Sequence, residues 1–326
     1  MRKILALAVA SIMFALSGCS SAPSSIESAY ESIKQTCDPF TTGKASEQIS
    51  ASGEFNTKPT VTFTAPLSTN VLETKVLSEG KGPKFVGGEM VKFEYTAYNA
   101  GTGKEFAASK YDGSDSISQL FTTGQKLDFC HALSGVKEGS RVAILIPALM
   151  AHDGKGDQTN SIAATDNLLF VIDVLKVYLP YAVGAKQSQQ TGMPTVVLAP
   201  SKQPGVQVPK AQAPAEYKQA TLIQGAGEKV AIGDTVTLHY SGFIWDSGVQ
   251  FDSSWDKGAP VQWQLTETGF IKGFVKALTG AVVGSQIIAV IPPSEGYGDQ
   301  EQNAIPAGST LVFVIDILGV DKAKTN

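Results

Sequence analysis

The sequence predicts an α+β protein of two repeated domains, each an antiparallel β-sheet packed against one short helix. Three observations lead to this class. The same segments occur twice in the same order, most of them alternate with the period of a strand, and one segment in each copy has helical spacing. The composition, with 43% apolar and 17% charged residues, is that of a globular chain.

The N-terminus has the features of a secretory signal. Two basic residues precede an apolar run of 13 residues over 4–16, which is shorter than the roughly 20 residues of a membrane span. The run ends in LSGC (16–19), which resembles the lipobox of bacterial lipoproteins. We therefore predict a lipoprotein signal peptide over 1–18, lipidation of Cys19, and a protein held by lipid on the extracytoplasmic face of the cell membrane. Ordinary cleavage after Ala22 is the alternative.

The segment that follows, residues 19–52, begins Ser-rich and is predicted to be a flexible tether. Ile26, Tyr30 and Ile33 fall at helical spacing within it, so a short amphipathic helix is an equally good interpretation.

Internal repeats define the two domains. The matching pairs are LSEGKGPKFVGGEMVKFEY (77–95) with LIQGAGEKVAIGDTVTLHY (222–240), ALSGVKEGSRVAILIP (132–147) with ALTGAVVGSQIIAVIP (277–292), and LLFVIDVL (168–175) with LVFVIDIL (311–318). Between the copies lies a Gln-, Gly- and Pro-containing stretch without periodicity. We predict a first domain over 53–180, a linker over 181–193, and a second domain over 194–321.

Strand and helix patterns alternate within each copy. In TVTLHY, the side chains of Val236, Leu238 and Tyr240 share one face, and SQIIAVIP suits a strand buried on both faces. In GFIKGFVKALTG, Phe270 and Phe274 are four residues apart, which predicts a short helix that covers the sheet.

The second copy resembles the FKBP-type peptidyl-prolyl cis-trans isomerases. The motifs are HYSGF, VQFDSSW, GFIKGFVKALTG, PPSEGYG and IPAGSTLVF, in that order within residues 222–318. The first copy resembles the family more weakly, mainly in its strands and turns. The resemblance implies two tandem domains of this fold, of which the first is degenerate. A lipobox followed by two such domains is similar to secreted lipoproteins of actinobacteria.

The resemblance also implies site residues. Tyr240, Asp252, Ile271 and Tyr297 would be catalytic, and the substrate-binding side chains would be Phe251, Phe270, Phe274, Ile305 and Phe313. The implied activity is peptidyl-prolyl cis-trans isomerisation, which assists the folding of extracytoplasmic proteins. The implied partners are X-Pro segments of secreted or cell-surface proteins and macrolide ligands.

The sequence departs from the family pattern at four positions. Phe274 replaces the usual tryptophan of the pocket floor, Val261 a frequent phenylalanine, Lys257 a frequent arginine, and Gly269 a frequent glutamate.

The sequence also bears on other classes of function. A non-catalytic binding module or chaperone for Pro-containing chains stays open, because one pocket can bind and catalyse. A hydrolase is disfavoured because no G-x-S-x-G elbow occurs. The net charge of −4 without a basic stripe argues against nucleic acid. We predict no cofactor and no metal, since Lys155 interrupts the calcium-like loop DGKGDQT (153–159).

The first copy keeps the aromatic scaffold without the polar groups. Tyr95, Phe106, Phe129 and Phe170 stand for Tyr240, Phe251, Phe274 and Phe313. Ala107 stands for Asp252 and Lys155 for Tyr297, and the segment GQKLDF leaves Ile271 without a clear counterpart. A hydrated lysine cannot replace a phenol, so we predict that the first domain is catalytically silent.

Three cysteines remain to be assigned. If Cys19 carries lipid, Cys37 and Cys130 form an even pair outside the cytoplasm, and we predict a disulfide between them. The alternative is that Cys130, in the place of Val275, is a small buried core residue.

Overall fold

The structure is a computed structural model that describes residues 25–323. The predicted signal peptide over 1–18 and Cys19 therefore lie outside the described residues. Within 25–323, no helix combines the length and apolar character needed to cross a membrane.

The N-terminal half contains three helices and eight strands among its described residues. They are α1 (Ile26–Glu31), β1 (Ser50–Ser52), β2 (Thr60–Thr62), β3 (Glu73–Ser78), β4 (Met90–Asn99), β5 (Glu105–Ala108), β6 (Ile117–Leu120), α2 (Phe129–Leu133), β7 (Arg141–Ile146), α3 (Ala148–His152) and β8 (Leu168–Val177). The prediction of one helix for this domain was wrong, because α3 follows the strand β7.

The C-terminal half repeats most of this order. Its elements are β9 (Ala185–Lys186), β10 (Thr195–Leu198), β11 (Pro204–Gln207), β12 (Lys218–Gln224), β13 (Thr235–Ile244), β14 (Gln250–Ser253), β15 (Val261–Gln264), α4 (Lys272–Leu278), β16 (Gln286–Ile291) and β17 (Leu311–Asp321). A short 3₁₀ turn over Pro293–Glu295 takes the place of α3.

Both halves build an antiparallel sheet with the same strand order. The first runs β3-β7-β8-β4-β5 and the second runs β12-β16-β17-β13-β14. A further strand pairs with the long central strand in each case, β6 with β4 and β15 with β13. The repeated motifs of the sequence therefore correspond to a repeated topology.

Each sheet is covered on both faces. In the second half, Leu238 and Phe274 belong to the core between the sheet and α4, which confirms the inward face predicted for β13. The opposite face is covered by the hairpin of β10 and β11, through Val196 and Val206. The hairpin of β1 and β2 does the same for the first sheet, where Val61 packs over the core. Burial of β16 on both faces was predicted from its apolar run, but the hairpin that covers the second face was not.

The segment 19–52 is not a flexible tether from Ser25 onward. Helix α1 is capped by the Ser25 hydroxyl, which accepts a hydrogen bond from the Ser28 N–H at 3.2 Å. Ile33 is buried in the second-domain core, and Ile49 is fully buried in the first domain. Apolar side chains at helical spacing therefore have a surface to cover, and the helical interpretation is the correct one.

The predicted linker 181–193 is also part of the fold. Strand β9 pairs with the edge of β12, and the Val183 N–H donates to the Gly284 carbonyl at 2.9 Å. The Ala182 N–H donates to the buried Asp316 carboxylate at 2.9 Å. These bonds attach residues 182–186 to the second sheet, so this part of the segment is not a free linker.

The junction of the two domains is held by Asp321, at the end of β17. Its carboxylate accepts a hydrogen bond from the Tyr178 hydroxyl at 2.8 Å and pairs with Lys92 at 3.0 Å. Tyr30 of α1 donates to the Val177 carbonyl at 2.5 Å and packs against the cores of both domains. The N-terminal helix therefore contacts both halves at their junction.

Cys37 and Cys130 are joined by a disulfide bond, with their Cα atoms 5.8 Å apart. Both residues are buried, and the bond connects the N-terminal segment to helix α2. The Cys37 carbonyl also accepts a hydrogen bond from the Ser134 hydroxyl at 2.8 Å.

We expect the chain from Ser20 onward, denatured without reductant, to show no free thiol, and to show two after reduction. Two reactive thiols before reduction would exclude the bond.

Because the bond spans a sequence separation of 93 residues, the chain-entropy model predicts that the variant Cys37→Ser with Cys130→Ala loses about 4.6 kcal/mol of unfolding free energy. Urea denaturation of the oxidised protein and this variant measures the difference.

Candidate active site of the second domain

A cavity of about 470 Å³ opens between the sheet of the second domain and helix α4. It is lined by Tyr240, Phe251, Asp252, Trp263, Thr268, Gly269, Phe270, Ile271, Phe274, Tyr297 and Phe313. Eight of the nine residues that the sequence predicted for the site are therefore together. The ninth, Ile305, is buried in the adjoining core and is not among the lining side chains.

Aromatic rings in edge and tilted contact form the walls. The Phe274 ring lies 5.2 Å from that of Phe313, and the Phe251 ring lies 5.5 Å from Phe313 on the other side. Such near-perpendicular contacts are favoured by the quadrupoles of the rings. Together they make a rigid, mostly apolar surface of a size that suits a proline ring and its neighbours.

Three lining residues were not predicted as site residues, namely Trp263, Thr268 and Gly269, and Trp263 is the aromatic one among them. It comes from strand β15, and its ring lies 5.2 Å from Tyr240 and 5.3 Å from Phe270. The alternation of VQWQ places Trp263 on the same face as Val261, and this signal could have identified it. An indole thus lies in the wall of a site where Phe274 replaces the tryptophan usual at the floor.

Gly242 leaves room for two of these rings. A Cβ atom at this position of β13 would lie 2.4 Å from Cζ of Phe251 and 3.0 Å from Cε1 of Phe313. Any side chain would therefore displace the wall of the cavity. The corresponding residue of the first domain is Ala97, 145 positions earlier.

Gly273 has a similar role under helix α4. A Cβ atom there would lie 2.4 Å from Cγ2 of Ile291 on β16, so the first turn of the helix packs directly on the sheet. Ile271 is the N-cap, with its carbonyl accepting from the N–H of Phe274 at 3.0 Å. Within the described chain, the Ile271 N–H has no hydrogen-bond partner and lies at the cavity. It is available to a ligand carbonyl.

The polar side of the cavity is built around Asp252. The Tyr240 hydroxyl donates to one carboxylate oxygen, and Lys257 pairs with the other at 2.6 Å. Burial opposes ionisation of Asp252, but the bonds from Lys257 and Tyr240 outweigh it and lower the pKa of the carboxyl group. Burial, with the hydrogen bond to Asp252, raises the pKa of Tyr240 to about 12. At neutral pH the pair is a phenol that donates to a carboxylate.

Tyr297 lies at the mouth of the cavity, two residues after the 3₁₀ turn. Its side chain is partly exposed, and within the described residues its hydroxyl has no hydrogen-bond partner. The hydroxyl is thus free to donate to a bound carbonyl. No group of three His, Cys, Asp or Glu side chains in residues 25–323 is arranged to hold a metal ion.

His239 precedes Tyr240 on β13, points to the opposite face of the strand and does not line the cavity. It is buried, its ring is stacked on Trp255 with centroids 3.9 Å apart, and Nδ1 is 2.8 Å from the Ser254 hydroxyl. Burial lowers the pKa of His239 to about 4. The imidazole is therefore a neutral structural group.

The first domain brings the four predicted aromatic residues together but differs at the polar positions. The Phe129 ring lies 5.5 Å from Phe170, and that of Phe106 lies 6.5 Å from it. Ala107 provides no carboxylate, and Lys155 is highly exposed beside Asp153.

The helix of the first domain also begins later. Asp128 occupies the position of Gly273, and a side chain there cannot lie against the sheet as the glycine does. Asp128 instead caps α2 from a left-handed conformation, with φ 44°. Lys126, in the place of Ile271, forms an ion pair with Asp153 at 3.0 Å.

Comparison with known proteins agrees with this geometry. A family profile described as FKBP-type peptidyl-prolyl cis-trans isomerase matches residues 226–318. An FK506-binding protein of Streptomyces anulatus is 34% identical over 121 residues, which cover 36% of this chain and 98% of that protein. FK506-binding protein 2 of Gibberella zeae is 42% identical over 93 residues, 28% of this chain. The chain spans 48% of that fungal relative, about half its length.

Among solved structures, FkpA from Escherichia coli is similar at 29% sequence identity, with a TM-score of 0.32, over 42% of this chain and 55% of that chain.

The fold and the site of the C-terminal half define a peptidyl-prolyl cis-trans isomerase domain of the FKBP type. Since the Streptomyces relative is matched over almost its whole length, the chain belongs to the FKBP-type peptidyl-prolyl cis-trans isomerases.

We expect His239 to make the protein less stable in mild acid. The unfolded histidine takes up a proton near pH 6.5, whereas the buried one does so only near its pKa of about 4. Stability is therefore lost as the pH falls from about 6.5 towards 4. By pH 4.5 the loss from this group should reach about 2 kcal/mol.

Burial raises the pKa of Asp316 to about 6, so this group makes the protein more stable as the pH falls, which is the opposite pH dependence. Because Asp316 is present in both proteins, comparison with the variant His239→Gln isolates the effect of the histidine. Urea denaturation at pH 7.5 and 4.5 should show a smaller acid loss for the variant than for the original chain. Equal losses would contradict the assignment.

Proposed function

We propose that the second domain catalyses cis-trans isomerisation of X-Pro bonds in extracytoplasmic client proteins. The observation that carries the proposal is the pairing of an aromatic cavity with two unpaired hydrogen-bond donors, the Ile271 N–H and the Tyr297 hydroxyl. Neither a nucleophile nor a proton transfer is needed for this reaction.

The chemistry follows from the barrier. Resonance holds a peptide bond planar with a barrier of about 18–20 kcal/mol. In the twisted transition state the carbonyl loses charge separation, so an apolar environment stabilises it relative to the planar amide. The rings of Phe251, Phe274 and Phe313 provide that environment and seat the proline ring.

The polar groups orient the substrate. In this proposal the Ile271 N–H and the Tyr297 hydroxyl hold the carbonyls on either side of the twisting bond. Asp252 and Tyr240 form the wall where the amide rotates, fixed by the bond from Lys257 at 2.6 Å. Phe270 contributes apolar contact beside them. Ile305 acts from the core behind the cavity.

The location of the protein is part of the proposal. The LSGC motif supports cleavage before Cys19 and attachment by lipid. The buried disulfide between Cys37 and Cys130 supports an oxidising compartment, because such bonds are rare in the cytoplasm. The clients would be X-Pro segments of secreted or cell-surface proteins, and macrolides are candidate ligands of the same cavity.

The first domain is proposed to be a second FKBP-like domain that has lost catalysis. Its strand order repeats that of the second sheet, and its aromatic scaffold persists. The ion pair of Lys126 with Asp153 lies where the second domain has the Ile271 N–H and an open mouth. The role left to this domain is structural support or docking of a client chain.

We expect Asp252→Ala and Tyr297→Phe each to lower kcat/KM for a short X-Pro peptide by about tenfold, the effect of one lost hydrogen bond in the transition state. Circular dichroism should show an unchanged fold. Asp246→Ala, at an exposed aspartate outside the cavity, is the matched control. A double variant with full activity would contradict the roles given to these residues, and a chain that binds the peptide without accelerating isomerisation would favour a non-catalytic binding module.

The same double variant tests the silence of the first domain in the intact chain. We expect no acceleration above the uncatalysed reaction once the second site is disabled. Adding Ala107→Asp and Lys155→Tyr should restore little activity, because the later start of α2 and the ion pair of Lys126 remain. Substantial residual activity in the double variant would show that the first domain catalyses.

A further inference from the structure

The first domain has a second groove, away from its degenerate pocket. Its volume is about 390 Å³, and its apolar walls come from Phe40, Leu72, Val71 and Met150. We call it the Phe40 groove. The other lining residues are Pro39, Thr41, Asn70, the α2 N-cap Asp128 and His131 of α2, and no lysine or arginine is among them.

The walls of the Phe40 groove are held in place. The disulfide at Cys37 fixes the start of the wall segment against α2, three residues before Phe40. Thr41 continues beside β3, where its carbonyl accepts from the Thr74 N–H at 2.8 Å and its hydroxyl donates to the Leu72 carbonyl at 3.2 Å. The groove is therefore preformed, which lowers the entropic cost of binding.

The equivalent place in the second domain is filled. There, 145 positions later, Tyr217 and Lys276 stand for Leu72 and His131, and Glu295 comes from the 3₁₀ turn that replaces α3. Lys276 pairs with Glu295 at 2.6 Å and lies over the Tyr217 ring at 5.4 Å. A polar trio closes the surface in one domain, whereas apolar side chains leave it open in the other.

One wall residue of the groove and the residue that precedes another are exposed apolar side chains. Val71 is 59% exposed, and Leu149, the neighbour of Met150 on α3, is 75% exposed. They are among the most exposed large apolar residues of the described chain. Apolar surface grouped in this way marks an interaction site more often than scattered residues do.

The charge at the rim is negative. Asp38 is almost fully exposed, with a carboxylate oxygen 4.0 Å from Nε2 of His131. The Asp128 carboxylate lies on the other side of the imidazole, 2.6 Å from Nδ1. Two carboxylates beside apolar walls complement a segment in which an apolar side chain is followed by a basic one.

We propose that the Phe40 groove binds an extended client segment in which leucine, isoleucine or valine lies beside lysine or arginine. The inference rests on the proposed function, because it gives the first domain the task of holding the chain on which the second domain acts. Holding the client raises the local concentration of its prolines at the second site.

Binding is tested with the chain from Ser20 onward and a fluorescein-labelled peptide that alternates leucine and lysine and contains no proline. We expect Val71→Ser with Leu149→Ser to weaken binding about tenfold. Asp38→Lys should weaken it about threefold and reduce its salt dependence. Val197→Ser, at a valine of the second domain that is 65% exposed, is the matched control and should bind as the original chain does.

The outcomes separate the two proposals. Every one of these variants should keep full activity on a short X-Pro peptide. Groove binding without any isomerisation would refute the isomerase function alone, and isomerisation without groove binding would refute this inference alone. Equal binding of a leucine–glutamate peptide would also overturn it. Sedimentation gives a further test. If the chain self-associates, and Val71→Ser with Leu149→Ser abolishes the association, the occupant of the groove is a second copy of the chain and the inference is wrong.

Discussion

Helix α4 lies against strand β16 at a separation that only glycine permits. At Gly273, a Cβ atom would come within 2.4 Å of Ile291. Because the first turn can pack there, Ile271 caps the helix with its N–H directed to open space, and Phe274 reaches the floor of the cavity beside Phe313. In the first domain, where Asp128 occupies the same place, the helix begins two residues later and follows a left-handed N-cap residue. The close contact at Gly273 therefore sets the positions of the Ile271 N–H and of the Phe274 ring. The proposed function assigns substrate binding to both groups.

Most of the site could be predicted from the sequence because its members repeat with the local period of their elements. Tyr240 and Phe313 lie on inward faces of strands, and Phe270 and Phe274 follow the helical period; each pattern can be read within ten residues. Trp263 was not predicted because its strand is short and because the family pattern has its frequent aromatic residue at Val261, two residues earlier. The hydrogen bond between Tyr240 and Asp252 could not be derived from spacing alone, since it joins two strands across a turn.

The parts whose packing could not be predicted from the sequence are those held by distant contacts. Helix α1 packs at the domain junction, where Tyr30 bonds to a carbonyl 147 residues away. The segment after Tyr181 pairs with a strand that comes more than thirty residues later in the sequence. Neither segment has a long period of its own, and their stability comes from surfaces that only the folded domains create. The hairpins that cover the outer faces belong to the same group: the apolar run of β16 predicts burial on both faces, but it does not identify the distant segment that covers the second one.

The junction at Asp321 has a consequence for the selection of substrates. Its bonds to Tyr178 and Lys92, together with helix α1, connect the two halves directly. The distance between a surface on one half and a surface on the other therefore varies less than it would across an unstructured linker. A chain gripped at one surface can then present to the other only those prolines that lie a matching number of residues along it. The specificity of such a protein would then depend on two properties of a proline: the residue that precedes it and its distance along the chain from the segment bound at the other surface.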